Sequence, residues 1–384
     1  MDFDLSEEQT LLKDSIDRLL ADRYDFRQRA GYGKAAESWS REIWAQFAEL
    51  GLLGMPFAES DGGFGGGAVE TMIVMEALGR KLVLEPYLAT VVIGGGLMRH
   101  AGSPEQRAAL VPEIAAGKTI LAFAHAERQA RYELADVATK ARQDGEDWIL
   151  SGEKTLVLHG DAADKLIVSA RISGGNRDRD GLALFLVDAK APGLTRRGYP
   201  TQDGLRAAEI SLADVRVAKA DVLGAPGKAY PVISRVVDEA IAALCAEAVG
   251  AMSALHQLTV DYLKTRKQFG VTIGSFQVLQ HRAVDMLVAI EQARSMAFLA
   301  TMMAQEDNAA EREKAIAGAK VQIGKSARLV GQEATQLHGG IGMTMEYEGG
   351  AYFKRLTMIN VLFGDVEHHL RRLARAGGFI SAEA

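Results

Sequence analysis

The sequence predicts a mainly α-helical protein with a β-barrel domain in its middle. Apolar residues recur every three or four positions up to about Gly117, and this helical period returns after Gly227. Between these regions, short β-rich runs alternate with turns that contain Asp and Gly. We therefore predict an N-terminal helical domain over residues 1–118, an antiparallel β-domain over 119–226 and a C-terminal four-helix bundle over 227–384.

Composition excludes several classes of protein. The chain has 384 residues, 48% of them hydrophobic, and a net charge of −6, without the basic excess of a nucleic-acid-binding protein. Its partner should therefore be a small molecule. The single cysteine, Cys245, excludes an internal disulfide, and no Cys/His cluster has the spacing of metal ligands, so no metal site is expected. No apolar run approaches the ~20 residues of a membrane helix, and no basic segment opens the chain. We expect a cytoplasmic protein without membrane insertion.

In the first domain, three segments have the apolar spacing of helices: Thr10–Leu20, Glu42–Leu50 and Val69–Leu82. A glycine-rich stretch at 61–67 lies between two of them. It could cradle a phosphate, but no strand precedes it and it lacks the lysine of a P-loop. We interpret these residues as turn glycines.

The middle region shows five β-rich runs: Ile120–His125, Trp148–Leu158, Lys165–Arg171, Leu182–Val187 and Ala208–Leu212. No segment between them is long enough for a helical crossover. This favours an antiparallel barrel or sandwich over a dinucleotide-binding βαβ fold. The last region then predicts long helices, among them Gln277–Met303 and Lys314–His338.

Two motifs in the last region could carry a cofactor. Arg266-Lys267-Gln268-Phe269-Gly270 joins two long helices, and the second helix begins near Ser275. Such a junction can hold a pyrophosphate with the arginine and the amides of the helix N-terminus; the alternative is an exposed loop with a solvated arginine. The second motif, Gln336–Met343, closes a helix with three glycines. Since capping needs one glycine, a flat ligand or another surface is expected close to this backbone.

Together these motifs resemble those of the acyl-CoA dehydrogenases, and the resemblance covers essentially the whole chain. It implies a bound FAD, and the residues of these motifs would contact an FAD that belongs to the neighbouring subunit, so that an oligomer is required. Arg266, Gln268 and Phe269 would contact the pyrophosphate and adenosine end, and Gln336, Gly339 and Gly340 would line the same cross-subunit site. The further cofactor contacts that it implies are Phe276, Gln277 and Glu367.

The resemblance also implies a reaction, the α,β-dehydrogenation of an acyl-CoA thioester. A carboxylate removes a proton from the α-carbon, and the β-hydrogen leaves as hydride to flavin N5. An electron-transfer flavoprotein would take the electrons. The oligomer would be a homodimer, a homotetramer or a heteromer with a paralogous subunit.

The catalytic base is where this sequence departs from the family. The family usually has a glutamate in a Tyr-Glu-Gly-Thr turn, whereas this chain reads Leu362-Phe363-Gly364-Asp365. Matching the apolar positions that follow assigns the base to Asp365; a register shifted by one residue leaves Gly364 there and no base. Asp365 would also be a good helix N-cap. Glu239 and Glu247 are two further candidates, although each also fits a helix-surface or interhelix ion pair.

The β-domain departs from the family too. The family's Thr-Glu-Pro-Gly turn, which binds the flavin ring, corresponds to Ala126–Gln129, and its Trp-Ile-Thr strand corresponds to Leu156–His159. His125 and His159 could lie near the ring or be polar surface. These changes resemble the small subunits of heteromeric bacterial acyl-CoA dehydrogenases, of the pimeloyl-CoA dehydrogenase type. Two alternatives follow: a non-catalytic subunit that completes a partner's FAD site, or a flavin oxidase acting on a nitroalkane or an acyl-CoA.

Overall fold

The computed structural model describes residues 5–344 and 346–377. In chain order, the helices are α1 Glu7–Arg23, α2 Phe26–Tyr32, α3 Arg41–Glu49, α4 Ala68–Lys81, a π-helix Leu88–Gly94, α5 Gly95–Ala101, α6 Pro104–Ala115, α7 Tyr230–Thr265, α8 Gln277–Met303, α9 Ala309–His338, α10 Gly349–Val361 and α11 Val366–Arg375. The predicted long helices are confirmed, and α8 has the predicted bounds. Among the described helices, none is long and apolar enough to cross a membrane.

The strands are β1 Leu121–Ala124, β2 Lys140–Asp144, β3 Asp147–Leu158, β4 Lys165–Arg171, β5 Leu182–Asp188, β6 Leu194–Pro200, β7 Arg206–Val217, β8 Val222–Leu223, β9 Lys267–Gln268 and β10 Val271–Thr272. All five predicted runs overlap strands. The pattern of apolar residues did not predict β2 and β6, because their residues are mostly exposed and form no apolar face.

The chain folds into two compact units. One comprises Met1–Gly31, Ala68–Val83 and Ile241–Ala384, and the other comprises Tyr32–Gly67 and Leu84–Ala240. The division into 1–118, 119–226 and 227–384 stays a prediction.

In the first unit, close helix contacts depend on glycines. A Cβ on Gly79 of α4 would lie 2.0 Å from the carbonyl oxygen of Glu247 on α7, so only glycine allows these backbones to meet. Helix α10 runs antiparallel along α9. Its Phe353 lies over Gly331 and its Asn360 lies over Gly324, where an added Cβ would be 2.5 Å and 2.3 Å from the respective side chains. This contact fixes the position of the C-terminal end of α10 against α9.

In the second unit, the middle-domain strands form one sheet in the order β6-β7-β3-β2-β4-β5-β8, with β1 paired to β4. The order has two ends, so the described strands do not close, and the predicted closed barrel is corrected to an open sheet. The predicted antiparallel pairing also needs correction, since β1 and β2 both pair with β4 in parallel. Periodicity marks strands but carries no information about which strands are neighbours.

The glycine-rich stretch 61–67 belongs to the same unit and is a turn, as predicted. Gly62 and Gly65 have φ of 91° and 71°. A Cβ on Gly63 would lie 2.3 Å from the carbonyl oxygen of Phe57, so this glycine packs against its own chain. Chain packing therefore explains this glycine without a ligand.

Candidate active site

After α7, the first motif forms a β-hairpin of β9 and β10. Phe269 and Gly270 occupy its turn with φ of 54° and 81°, the signs that a type I′ turn requires. Left-handed backbone is uncommon for a bulky residue. The Phe269 residue is 89% exposed, and its ring makes a T-shaped contact with Phe276, with ring centroids 6.2 Å apart. An aromatic side chain held outward in this way offers apolar surface to a ligand or a second subunit.

The hairpin leads directly into α8, whose N-terminus is open. Its N-cap is Phe276, which makes no side-chain capping hydrogen bond. Ser275 was expected to mark the helix start, but its hydroxyl donates to the carbonyl oxygen of Thr272 instead. The first amides of α8 therefore keep their capacity to bind an anion. Gln277, the first residue of α8, is exposed, and so is Arg266, whose carbonyl oxygen accepts a hydrogen bond from the amide of Ile273 just before the helix.

The second motif ends α9 with a backbone that requires glycine. Gly339 has φ 62° and ψ −139°, a conformation that side chains disfavour. A Cβ added to Gly339 or to Gly340 would meet no described atom within 4 Å. Packing within the described chain thus gives no reason for the second glycine. The preceding Gln336 is exposed, and the surface around the pair is bare backbone.

Aromatic contacts bring these two motifs to the same end of the bundle. His338, at the end of α9, contacts Tyr262 and Tyr347, with ring centroids 4.7 Å and 4.8 Å from its own. Its Nδ1–H donates to the Ala334 carbonyl oxygen, and its Nε2 accepts from the Tyr347 hydroxyl at 2.7 Å. Burial lowers the pKa of His338, so the ring is neutral. Because Tyr262 precedes Arg266 by one helical turn, the hairpin and the glycines are neighbours.

Asp365 occupies a turn between α10 and α11. Phe363 and Gly364 have φ of 57° and 113°, and Asp365 is the N-cap of α11. Its Oδ1 accepts a hydrogen bond of 2.8 Å from the amide of His368. The N-cap interpretation is therefore correct, and the half-buried carboxylate has a fixed orientation. Its role as a base stays a prediction.

Asp365 and the glycine pair lie far apart along α9. Val366, next to Asp365, sits against Gly324, where an added Cβ would be 2.5 Å from the valine Cγ2. Helix α9 continues from Gly324 to His338, a length of about 21 Å at 1.5 Å per residue. Glu367 follows Asp365 in α11 and shares its end of α9. Within one subunit, the predicted site residues thus form two groups.

Glu239 belongs to the second unit and is held in ion pairs. Its carboxylate lies 2.9 Å from Arg99 Nη2 and 2.7 Å from His100 Nε2, and Arg235 is at 3.7 Å. Burial raises its pKa, but the His100 hydrogen bond and the Arg99 charge outweigh burial and lower the pKa overall. This carboxylate serves an ion-pair cluster.

Glu247 forms a buried interhelix pair, as one interpretation predicted. Arg355 on α10 donates to both oxygens of Glu247, at 2.5 Å and 2.7 Å, and both side chains are 6% exposed. This fork occupies one lone pair on each carboxylate oxygen and pairs the negative charge that a base would use.

Glu247→Gln is expected to cost stability because it removes the negative charge that pairs with the buried Arg355. Breaking one partner of a buried pair lowers the free energy of unfolding by about 3–5 kcal/mol, which urea denaturation would measure. The double variant Glu247→Leu with Arg355→Met should recover most of the loss. Unchanged stability with abolished turnover would instead make Glu247 the base.

The chain matches three family models along its length: acyl-CoA dehydrogenase N-terminal domain over residues 6–118, middle domain over 122–216 and C-terminal domain over 230–378. A Bacillus subtilis protein described as probable acyl-CoA dehydrogenase YngJ is 30% identical over 353 residues, 90% of this chain and 92% of that protein. The chain belongs to the acyl-CoA dehydrogenase family. Its expected enzyme class, an oxidoreductase acting on CH–CH groups, is thereby confirmed.

Solved structures agree in fold. The ChsE4-ChsE5 complex from Mycobacterium tuberculosis superposes with a TM-score of 0.88 at 26% identity and covers 100% of both chains. The FAD complex of PigA gives a TM-score of 0.88 at 26% identity over 98% of each chain. The predicted helix, sheet and helix architecture of an acyl-CoA dehydrogenase and the FAD cofactor expected for the family are confirmed.

In this acyl-CoA dehydrogenase, the turn that replaces the family's threonine turn is built on a buried ion pair. Glu127 accepts hydrogen bonds from Lys154 Nζ at 2.7 Å, from the amides of Ala138 and Thr139 at 2.7 Å and 3.0 Å, and from Gln129 Nε2 at 2.7 Å. Lys154 is fully buried and also donates to Ser169 Oγ. Although burial raises the Glu127 pKa, Lys154 and the hydrogen bonds lower it to about 2.

This pair should make stability depend on pH in acid. Because the Glu127 pKa is lower in the folded state than its ordinary 4.5, its contribution is complete above pH 4.5 and is lost as pH falls towards 2. The loss amounts to about 3 kcal/mol at most. In urea denaturation across that range, Glu127→Gln should flatten the pH dependence relative to wild type. An unchanged slope would show that Glu127 is not ionised in the fold.

The two histidines of the sheet differ from surface residues. His125 stacks on Phe123 with centroids 5.0 Å apart, and burial lowers its pKa to about 3, so its ring is neutral. His159 is 4% exposed, so the polar-surface interpretation is wrong for it. The β3–β7 pairing has a register shift between Lys154 and Val157, where Leu156 has φ 51°, and His159 has the same φ in the turn after β3. Strand periodicity cannot predict such a bulge.

Proposed function

We propose that this protein catalyses FAD-dependent α,β-dehydrogenation of an acyl-CoA thioester, with Asp365 as the base. The observation that supports this most is the end of the bundle where Arg266, the outward Phe269 and the bare Gly339-Gly340 backbone lie together. A cation, an uncapped helix N-terminus and a flat surface without side chains fit an anionic dinucleotide with a planar ring.

These residues would hold FAD between subunits. The residues at the glycine end that would contact it are Arg266, Gln268, Phe269, Phe276, Gln277, Gln336, Gly339 and Gly340. Asp365 and Glu367 lie about 21 Å away along α9. In one subunit, the glycine end and Asp365 would therefore belong to two different FAD sites. FAD, when bound, supplies the acceptor for the β-hydrogen as hydride. Each complete site would then draw on two subunits, and an oligomer would be required.

Asp365 supplies the proton acceptor. Its carboxylate takes the α-proton, the electron pair of that C–H bond forms the Cα–Cβ double bond, and the β-hydrogen leaves with its own electron pair. The helix N-cap geometry keeps the carboxylate oriented while its charge changes. Aspartate reaches ~1 Å less far than glutamate, and a misplacement of this size can cost ~100-fold in rate. The substrate of this enzyme would therefore differ in shape from those of glutamate-containing relatives.

A second candidate is a non-catalytic subunit that completes the FAD site of a paralogous partner, as in small subunits of the pimeloyl-CoA dehydrogenase type. Two observations favour it. All three candidate acids have structural partners, Glu239 and Glu247 in ion pairs and Asp365 at a helix N-cap. A related structure, ChsE4-ChsE5, is a complex of two different chains. Under either proposal we place the protein in the cytoplasm, where its one cysteine, buried Cys245, fits a reducing environment.

An assay of enoyl-CoA formation separates the two candidates. The purified chain would be supplied with a panel of acyl-CoAs and an electron-transfer flavoprotein, alone and after co-expression with each paralogous chain of its source. The proposal predicts turnover by the chain alone, without hydrogen peroxide formation in air. Turnover only in a mixed complex, and retained there by Asp365→Asn, would establish the non-catalytic role.

A further inference from the structure

The turn that carries Asp365 is tied to α9 through a buried lysine. Lys320 Nζ donates to the carbonyl oxygen of Leu362 at 2.9 Å and also to that of Ile359. The side chain is fully buried, and burial lowers its pKa to about 8, so the ammonium still predominates at pH 7. A cation at the end of α10 satisfies carbonyls that the helix leaves open and complements the helix dipole.

A buried histidine holds the same turn from the other side. His369 Nε2 lies 3.1 Å from the carbonyl oxygen of Phe363, so this nitrogen carries the proton and donates. The side chain is 0% exposed, and its Nδ1 has no hydrogen-bond partner among the described residues. Burial lowers the pKa of His369 to about 3, which keeps the ring neutral and the tautomer fixed.

The turn between these two donors has little freedom. A Cβ on Gly364 would lie 2.7 Å from His369 Nε2, and Gly364 has φ 113°, so only glycine fits. Phe363 is itself in the left-handed region at φ 57°. Because the carbonyls of Leu362 and Phe363 are both anchored, the position of the next side chain, Asp365, depends on Lys320 and His369.

We propose that Lys320 and His369 are positioning residues that hold the Phe363-Gly364-Asp365 turn so that the Asp365 carboxylate meets the substrate α-carbon. This inference rests on the proposed function. Without either donor, the fold of α9 and α11 would remain, but the turn would relax, and displacements near 1 Å can cost ~100-fold in rate.

The test combines hydrogen exchange with kinetics on the FAD-loaded enzyme. We would compare Lys320→Met and His369→Leu with wild type, with Lys325→Met on the exposed side of α9 as a matched control. Exchange of the amides in peptides spanning 359–369 should accelerate at least ~10-fold. The kcat should fall by ~10–100-fold while KM and flavin content stay within about twofold. His369→Gln, which keeps a donor near the Nε2 position, should recover much of the kcat.

The exchange and kinetic results separate the positioning role of Lys320 and His369 from the base role of Asp365. Unchanged exchange in both folded variants would overturn the proposed positioning. Faster exchange with unchanged kcat, in an enzyme that Asp365→Asn inactivates, would overturn the catalytic relevance of the turn and leave the proposed base intact. Conversely, full activity in Asp365→Asn would refute the base assignment, and the exchange measurement alone would then decide the positioning. If Lys320→Met fails to fold, the His369 variants carry the same test.

Discussion

Asp365→Asn is expected to keep the structure and abolish the reaction. Asn ranks with Asp as a helix N-cap, so the bond to the His368 amide can be kept and stability should change by only a few tenths of a kcal/mol. A carboxamide cannot accept the α-proton. General base catalysis contributes about 10²–10⁴-fold, and turnover should fall by at least the lower value. Initial rates with the preferred acyl-CoA, normalised to bound FAD, measure this.

Two companion variants separate the base from the cap. Asp365→Ala removes both functions, so it should lose turnover and also about 1 kcal/mol of stability. Asp365→Ser keeps a capping oxygen without a carboxylate, so it should behave as Asp365→Asn does. Full turnover in Asp365→Asn would refute Asp365 as the base and leave the ion-paired Glu239 and Glu247, or a partner subunit, to supply one.

Gly340→Leu is expected to remove FAD without unfolding the subunit. An added Cβ at position 340 would meet no described atom within 4 Å, so the leucine has room within its own chain. The proposed cofactor approaches this bare backbone from outside, and a leucine side chain would occupy its place. We expect flavin content after purification to fall at least ~10-fold, equivalent to about 1.4 kcal/mol of lost binding. The far-UV circular dichroism should be unchanged.

The matched control is Gly31→Leu on helix α2, where an added Cβ also meets nothing within 4 Å and the residue is exposed. This control should keep its flavin. Undiminished flavin content in Gly340→Leu would mean that the glycine pair serves another purpose, such as a subunit contact without cofactor. A leucine at position 339 would be a poorer probe, because the φ of 62° adds backbone strain there.

The helices were predictable because their apolar faces repeat with the helical period. The α8 bounds followed from the sequence alone, and the long α9 followed to within one turn and a half at its start. The order of the strands in the sheet could not be predicted from the sequence. The parallel pairing of β1 and β2 with β4 depends on which strands meet in space, and the residues of each strand record only which face is buried.

The sequence predicted the residues of the site but not the distances between them. The sequence indicated Arg266, the glycines and Asp365, but their separation depends on α10 folding back along α9 over Gly331 and Gly324. Lys320 was missed. The available signal was a lone cation in the apolar stretch Ala315–Val321 of a predicted helix, where a charge is expected only if it is paired. Its acceptors are backbone carbonyls, which no sequence pattern marks.

Anaerobic titration of the purified chain with acyl-CoAs is the decisive experiment for FAD-dependent dehydrogenation with Asp365 as the base, because it reports flavin binding and substrate oxidation in one spectrum. We expect a yellow protein whose oxidised-flavin absorbance bleaches on addition of at least one acyl-CoA, and an Asp365→Asn variant that stays yellow with the same substrate. A chain that purifies with FAD, alone and in its native oligomer, yet bleaches with no acyl-CoA would contradict this expectation.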